Sequence, residues 1–186
     1  KLLAGSCAFI NDSLYDRPGK PYGGEYEIFN TMADEDPDMM LWLGDNVYLR
    51  EVDLQSYTGY LHRYSHTRST PEMQKLLKAC PNYAILDDHD YGPNDADRNW
   101  IHGDWARESF KTFWANPSYG APAGADNLGT AFRYCDVEFF MLDNRSNRVH
   151  HYNETQVPQV LGEDQIDWLI AAMNKSYAPF KIVALG

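Results

Sequence analysis

The chain has 186 residues, 44% of them hydrophobic, which is enough to bury one sizeable core in a single domain. Its 27 acidic residues outnumber the 16 Lys and Arg residues, and the formal net charge of −11 argues against sequence-independent nucleic-acid binding. No apolar stretch reaches the roughly 18 residues of a membrane span, the first residues do not resemble a signal peptide, and three scattered cysteines are too few for a disulfide framework.

Apolar runs and helical periodicities alternate along the chain and predict one α/β domain over residues 1–186. In chain order, the predicted elements are a strand (Leu2–Ala4), a helix (Glu25–Asp36), a strand (Met39–Leu43), two helices (Leu54–Tyr64 and Pro71–Ala79), a strand (Tyr83–Leu86), a helix (Ile101–Ala115), two strands (Ala131–Tyr134 and Val137–Leu142), a helix (Gly162–Lys175) and a strand (Phe180–Leu185).

Some of these elements carry more detailed predictions. Thr70 and Pro71 are typical of an N-cap and a first helical position. The strands on either side of Cys135 and Asp136 are expected to form a hairpin, and the last strand is expected to be buried. The last helix has four apolar residues on one stripe: Ile166, Leu169, Ile170 and Met173.

Polar side chains follow the first three predicted strands at the point where each strand ends. The segments are Gly5-Ser6-Cys7, Gly44-Asp45-Asn46-Val47-Tyr48 and Asp87-Asp88-His89-Asp90-Tyr91-Gly92-Pro93-Asn94. In layered α/β folds, ligands bind at the edge where the strands end. A thiol, a carboxylate with a phenol, and a carboxylate–imidazole–amide set are therefore expected at one edge, an arrangement that predicts a polynuclear metal site.

The Asp87–Asn94 segment is the densest cluster of ligand-type side chains. Three carboxylates within four residues repel one another unless a positive charge lies between them. The position of Gly92 and the carboxylate spacing do not match a helix–loop–helix calcium loop, and a solvated acidic loop is the alternative interpretation. Nearby carboxylates favour the protonated form of His89, which suits protonation of a leaving group or contact with a phosphoryl oxygen.

The other candidate ligands each have a structural alternative. Asp45, at the end of its strand, can bridge two cations that Tyr48 also reaches, or the two residues can form a simple turn with a packed aromatic ring. Cys7 can be a ligand, but free cysteines are commonly buried as small hydrophobic residues.

Arginine and histidine pairs follow the strand that ends near residue 142. The planar guanidinium groups of Arg145 and Arg148 suit bidentate contact with phosphate oxygens. Arg145 can equally form an internal ion pair with Asp143. His150 and His151 are not expected to share one metal ion, because adjacent side chains on an extended segment point to opposite faces.

Five motifs in this order resemble the alkaline phosphatase D (PhoD-like) family of metallophosphoesterases. They are Gly5-Ser6-Cys7, Gly44-Asp45-Asn46-Val47-Tyr48, Asp87-Asp88-His89-Asp90 with Asn94, Leu142-Asp143-Asn144-Arg145 and Leu161-Gly162-Glu163-Asp164-Gln165. The resemblance implies an α/β sandwich, with a two-sheet core and outer helices. It also implies hydrolysis of phosphate monoesters, diesters or both by a metal-bound hydroxide, at a site that holds Fe³⁺ and Ca²⁺.

The resemblance also assigns roles to individual residues. Cys7 matches the family's thiolate ligand, Asp45 the bridging carboxylate and Tyr48 the phenolate ligand to iron. Asp88 and His89 lie where related enzymes have a metal ligand and a catalytic histidine. The predicted metal ligands are Cys7, Asp45, Tyr48, Asp88 and Asn94, and the predicted catalytic residues are His89 and Arg145.

Family members continue beyond the position of Gly186 with a second ligand motif. Residues 1–186 are therefore expected to form the N-terminal part of the catalytic domain, with a further segment or a second chain completing the site. The resemblance implies a small-molecule phosphoester substrate and an extracytoplasmic location. The alternative function is a non-catalytic, calcium-stabilised extracellular binding domain whose acidic loops fold around cations.

Overall fold

Three parallel strands form the first sheet of the computed structural model, which describes residues 1–16, 18–19, 22 and 24–186. The strands β1 (Leu2–Gly5), β2 (Met39–Leu43) and β3 (Asn82–Ile85) lie in that order across the sheet. The central strand β2 has four buried residues in a row, as expected for a strand covered on both faces. Because all three strands are parallel, their carboxyl ends meet at one edge.

Five helices connect and cover these strands. They are α1 (Glu27–Asp34), α2 (Tyr57–Arg68), α3 (Pro71–Ala79), the single turn α4 (Asp88–Tyr91) and α5 (Gly103–Phe113). The larger hydrophobic core lies between them and the first sheet, and includes Trp42, Tyr60, Leu76 and Phe110.

The second sheet is mixed. Strand β4 (Thr130–Tyr134) pairs antiparallel with β5 (Val137–Met141) in the predicted hairpin, and β5 pairs parallel with β6 (Phe180–Ala184). Helix α6 (Glu163–Lys175) connects β5 to β6.

A smaller core joins the two sheets. Met39, Leu41 and Ile85 of the first sheet pack against Phe139, Met141 and Ala184 of the second. The predicted α/β sandwich, with a two-sheet core and outer helices, is therefore confirmed. None of the described helices has the length and apolar character needed to cross a membrane.

Helix boundaries differ from the prediction at several ends. Helix α2 begins at Tyr57 rather than Leu54, because the Ser56 side chain accepts a hydrogen bond from the Gly59 backbone N–H and caps the helix there. Helix α3 has the predicted bounds, although its N-cap Thr70 makes no side-chain capping bond. The helices α1 and α5 are each two residues shorter at both ends than predicted.

The prediction that the last strand is buried is wrong. Phe180 is 65% exposed and Val183 is 43% exposed, because β6 is an edge strand of its sheet. The apolar stripe of α6 is exposed at Ile166 and Ile170. The helix instead turns Gln165 inward, since the Gln165 amide bonds to both the backbone N–H and the carbonyl of Asp143.

Candidate metal centre

The candidate metal centre lies at the carboxyl edge of the first sheet. Cys7 follows β1, Asp45 follows β2, and Asp88 follows β3. Two backbone hydrogen bonds hold the first two segments together: Cys7 N–H donates to the Gly44 carbonyl at 3.1 Å, and Ala8 N–H to the Asp45 carbonyl at 2.9 Å. The predicted convergence of strand ends is therefore present in the fold.

The carboxylates of Asp45 and Asp88 and the imidazole of His89 lie together. Each offers one ligand atom, and the three atoms lie within 4.8 Å of one another. Gly44 permits this approach, because its φ of 93° suits glycine and a Cβ there would lie 2.6 Å from the Asp87 Cβ. Asp45 itself has a φ of 50°, so its carboxylate is presented from a left-handed turn.

Tyr48 and Cys7 extend this cluster. The Tyr48 hydroxyl interacts electrostatically with the Cys7 and Asp45 side chains, and Cys7 Sγ lies 3.8 Å from Asp45 Oδ2. The Tyr48 ring packs against the His89 ring with centroids 4.5 Å apart. The sequence-predicted thiol, phenol, carboxylates and imidazole thus form one continuous group of side chains.

Burial and neighbouring charges raise the pKa values of two groups in the cluster, Asp45 and Tyr48. Burial raises the pKa of Asp45, and the charges of Asp88 and Asp87 raise it further, against the opposing effect of His89. Burial also raises the pKa of the Tyr48 phenol, and the adjacent Cys7 and Asp45 side chains add to the shift.

The pKa of Asp88 shifts in the opposite direction from that of Asp45. Burial alone would raise the pKa of Asp88, but the hydrogen bond from the Asp95 N–H and the charge of Arg145 outweigh burial and lower it. Asp88 therefore ionises more readily than Asp45.

The donor set fits a bound cation. Thiol, phenol and carboxylates all become anionic ligands, and an opposite charge among them lowers the pKa values that burial has raised. In the described part of the chain, no Lys or Arg side chain forms an ion pair with Asp45. The carboxamide oxygens of Asn46 and Asn144 are buried and have no hydrogen-bond partner among the described residues, so further oxygen acceptors lie next to Asp45 and Asp87.

The acidic segment after β3 forms a helical turn and not a solvated acidic loop. Asp87 caps α4 in a capping box with Asp90, whose side chain accepts the Asp87 N–H at 2.9 Å. Asp90 is fully buried and also accepts the Asn46 and Val47 N–H groups, at 3.0 and 3.2 Å. Burial raises the pKa of Asp90 to about 8. The hydrogen bonds to the Asp90 carboxylate therefore connect the turn after β3 to the turn after β2.

Arg145 forms an ion pair, but with Asp87 and not with Asp143. Its Nε donates to Asp87 Oδ1 at 2.6 Å, its Nη2 also contacts Asp87, and Nη2 lies 3.9 Å from Asp88 Oδ1. Asp143 instead accepts backbone N–H groups, including those of Leu128 and Arg145. Arg145 is 6% exposed, so the predicted phosphate contact stays a prediction while its positioning of the acidic segment is visible.

Other predicted residues lie outside the cluster of three ligand atoms. Asn94 is exposed, and its amide donates to Asp95 at 2.8 Å. His150 is buried and its Nε2 contacts the Asp95 carbonyl, whereas His151 is exposed. The two histidine side chains therefore lie in different environments.

Two further residues of the site, Asp90 and Asn144, have no individual role predicted from the sequence. Asn144 donates to Asp87 Oδ1 at 3.1 Å and to the Gly186 carbonyl at 2.9 Å, and so connects the second sheet to the acidic segment. The sequence signal for Asn144 is its place directly after the β5 run, within the motif Leu142-Asp143-Asn144-Arg145. Asp90 had no separate signal among its acidic neighbours.

Comparisons with known proteins agree with this geometry. The model of a family described as PhoD-like phosphatase matches residues 3–185. The solved structure "Structure of PhoD" has a TM-score of 0.73 and 20% identity, over 98% of this chain and 40% of that chain. Purple acid phosphatase PPD1, isolated from yellow lupin (Lupinus luteus) seeds, has a TM-score of 0.58 and 12% identity, over 98% of this chain and 29% of that chain. No curated protein matches the chain.

The low sequence identities, 20% and 12%, limit what the two structural similarities show. At such identities the two solved structures establish a shared metallophosphoesterase-type fold. The chain spans less than half the length of either of them.

Proposed function

Because this chain belongs to the PhoD-like phosphatase family, we propose that its protein hydrolyses phosphate esters at a metal centre on the carboxyl edge of the first sheet. The observation that carries the proposal is the convergence of Asp45, Asp88 and His89, with ligand atoms within 4.8 Å of one another, where parallel strands end. Phosphate monoesters and diesters are both proposed substrates.

Fe³⁺ and Ca²⁺ are the proposed cations. Cys7, Tyr48 and Asp45 would hold Fe³⁺, since thiolate, phenolate and carboxylate are anionic donors that suit a highly charged ion. Asp88 and Asn94 offer oxygen ligands, which suit Ca²⁺, and Asp45 would be shared between the two ions. When bound, such cations supply activation of a water nucleophile and neutralisation of the charge that develops on the phosphoryl group.

His89 is the proposed proton donor to the leaving alcohol. Its ring packs against the tilted ring of Tyr48, and its backbone N–H donates to Asp45 Oδ1 at 3.3 Å. The imidazole is only partly buried, so it can exchange its proton with solvent between turnovers. Arg145, by pairing with Asp87, positions the segment that carries both Asp88 and His89.

The direct test is hydrolysis of 4-nitrophenyl phosphate and bis(4-nitrophenyl) phosphate by the complete protein, before and after chelation. Activity is expected to vanish with the chelator and to return with iron and calcium. Asp88→Asn is expected to lower kcat/KM about 100-fold or more, whereas the matched variant Asp167→Asn, on the exposed side of α6, stays near the wild type. Retained cations with no hydrolysis of either substrate would instead favour the calcium-stabilised binding domain.

A further inference from the structure

A cavity of about 320 Å³ lies beside the candidate metal centre and has no role in the proposed reaction so far. Its lining includes Asn94, Asp95, Trp100, His150 and Tyr152. The cavity is bounded by two segments that are distant in sequence, the stretch after α4 and the loop after β5.

The cavity wall is bonded directly to the metal centre. The backbone N–H of Asp95 donates to Asp88 Oδ2 at 2.6 Å, and the carbonyl of the same residue contacts His150 Nε2. One residue therefore connects a predicted metal ligand with an aromatic wall of the cavity. The cavity therefore adjoins the residue Asp88, which is a proposed metal ligand.

The walls present fixed aromatic surfaces. The Trp100 indole N–H donates to the Tyr60 hydroxyl at 2.9 Å, which fixes the indole. The His150 ring stacks flat on Tyr152, with centroids 4.7 Å apart and an interplanar angle of 9°. Tyr152 is 67% exposed although its ring is stacked, so much of its aromatic surface faces solvent. Ordered aromatic surfaces of this kind bind flat rings by stacking.

The charge of the lining opposes phosphate. Asp95 and Asp97 are part of it, and neither lysine nor arginine occurs among the described residues that line the cavity. The amide nitrogen of Asn153 adds a hydrogen-bond donor beside the aromatic walls, while Asn153 Oδ1 accepts from the Thr155 and Gln156 N–H groups. The cavity therefore suits an uncharged group with a flat face and polar edges, which is the leaving side of a phosphate ester and not its phosphoryl side.

We propose that this cavity binds the leaving alcohol of the substrate and selects alcohols that carry a planar ring, either a nucleoside or an aryl alcohol. The inference rests on the proposed function, since it assigns the substrate class of the same site. Tyr152 is its specificity-determining residue, because its ring supplies the exposed stacking face.

Two matched substrate pairs test the proposal in the complete protein. Uridine 5′-monophosphate and ribose 5-phosphate release the same type of primary alcohol and differ by the planar base. Benzyl phosphate and cyclohexylmethyl phosphate differ in the same way by ring planarity. The kcat/KM ratio within at least one pair is expected to be about tenfold in favour of the planar ring, as for a single ring stack. The pair that shows the ratio identifies a nucleoside or an aryl source.

Three variants test whether the cavity causes the difference in kcat/KM within a substrate pair. Tyr152→Ala is expected to lower the kcat/KM ratio to about one, whereas Tyr152→Phe should keep the ratio because the ring remains. Tyr177→Ala should also keep the ratio, because Tyr177 is 95% exposed and does not line the cavity. A ratio near one in the wild type for both pairs, or a ratio that Tyr152→Ala leaves unchanged, would overturn the proposal.

Calorimetric titration with uridine and with benzyl alcohol separates this proposal from the proposed function. If the protein hydrolyses none of the four phosphate esters, the proposed function fails. Binding of either alcohol that weakens about tenfold in Tyr152→Ala, and not in Tyr177→Ala, would then still support a planar-ring site. Absence of binding by both alcohols would overturn the site as well.

Discussion

At the scale of single residues, replacing His89 is expected to affect activity and metal content differently from replacing the carboxylates around it. If His89 protonates the leaving alcohol, His89→Ala is expected to lower kcat by about 10²–10⁴-fold. The anionic ligands Cys7, Asp45, Tyr48 and Asp88 remain in that variant, so its metal content should be retained. The loss is expected to be smaller for aryl phosphates than for alkyl phosphates, because a good leaving group needs less protonation.

The control for this prediction is His151→Ala, which removes an exposed histidine outside the cluster. Kinetics on an aryl and an alkyl phosphate, together with elemental analysis, provide the measurement. Metal lost in parallel with activity, with no dependence on the leaving group, would identify His89 as a ligand and not as a proton donor.

Tyr48 has a separate spectroscopic test. Tyr48→Phe removes the hydroxyl, which is the proposed phenolate ligand beside Cys7 and Asp45, but keeps the ring that packs on His89. A visible charge-transfer band of the iron-loaded protein is expected to shift or disappear while Tm changes little. Tyr134→Phe, which changes an exposed tyrosine, serves as the control. An unchanged visible spectrum in Tyr48→Phe would mean that Tyr48 is only a packed aromatic residue.

The sequence predicted the positions of Asp45 and Asp88 because each follows a run of apolar residues that forms a parallel strand. The acidic run alone does not separate Asp88 from Asp90, and Asp88 is predicted as a ligand only through the resemblance to the PhoD-like family. Only the helical turn of α4 determines that Asp90 points inward to three backbone N–H groups while Asp88 faces the cluster. A one-dimensional pattern of like charges does not contain that information.

At the scale of elements, an ion pair fastens the segment after β1 to the segment after β2. Arg50 donates to Asp16 through Nε at 3.0 Å and through Nη2 at 2.7 Å. The guanidinium also lies 4.4 Å from the centre of the Phe9 ring, and that ring packs against Tyr48 at 5.1 Å. The pair thus supports the packing of a predicted ligand.

This pair predicts a defined pH dependence of stability. The hydrogen bond from Arg50 lowers the pKa of Asp16 in the folded protein. Its contribution is therefore present above the unfolded pKa of about 4 and is lost as the pH falls through the folded pKa. Asp16→Asn is expected to cost about 3 kcal/mol at neutral pH, because both partners are largely buried, and progressively less as the pH falls.

Urea unfolding of wild type and Asp16→Asn from about pH 7 to about pH 3 measures this difference. Asp34→Asn is the matched control, since it breaks the exposed pair with Lys75 and should change the unfolding free energy by less than about 1 kcal/mol. A difference between wild type and Asp16→Asn that is constant over the whole pH range would contradict the assignment.

The elements also show where a sequence pattern is insufficient. Periodicity located α6 to within one residue, but it did not indicate which face meets the sheet. That face is set by Gln165, whose hydrogen bonds to the Asp143 backbone are favourable enough to turn a polar residue inward and leave Ile166 and Ile170 exposed. Likewise, the composition of β6 is that of a buried strand, yet its place at the edge of the sheet is a tertiary property.

At the scale of the whole molecule, bound cations are expected to contribute to global stability. A ligand that binds only the folded state at 100 times its Kd adds about 2.7 kcal/mol. Chelation should therefore lower the Tm of the wild type, and it should have almost no effect on Asp45→Ala. Thermal unfolding followed by circular dichroism measures both shifts. Equal chelator effects in the two proteins would mean that the stabilising cation lies elsewhere.

We propose that three parallel strands deliver the ligands of one metal centre, with Asp45 shared between its cations. Elemental analysis of purified complete protein, wild type beside Asp45→Ala, tests this most directly. We expect bound iron and calcium in the wild type and loss of most of both metals in Asp45→Ala. The variant should keep the near-ultraviolet circular dichroism spectrum of a folded protein. A folded Asp45→Ala protein with the iron and calcium content of the wild type would contradict the proposal.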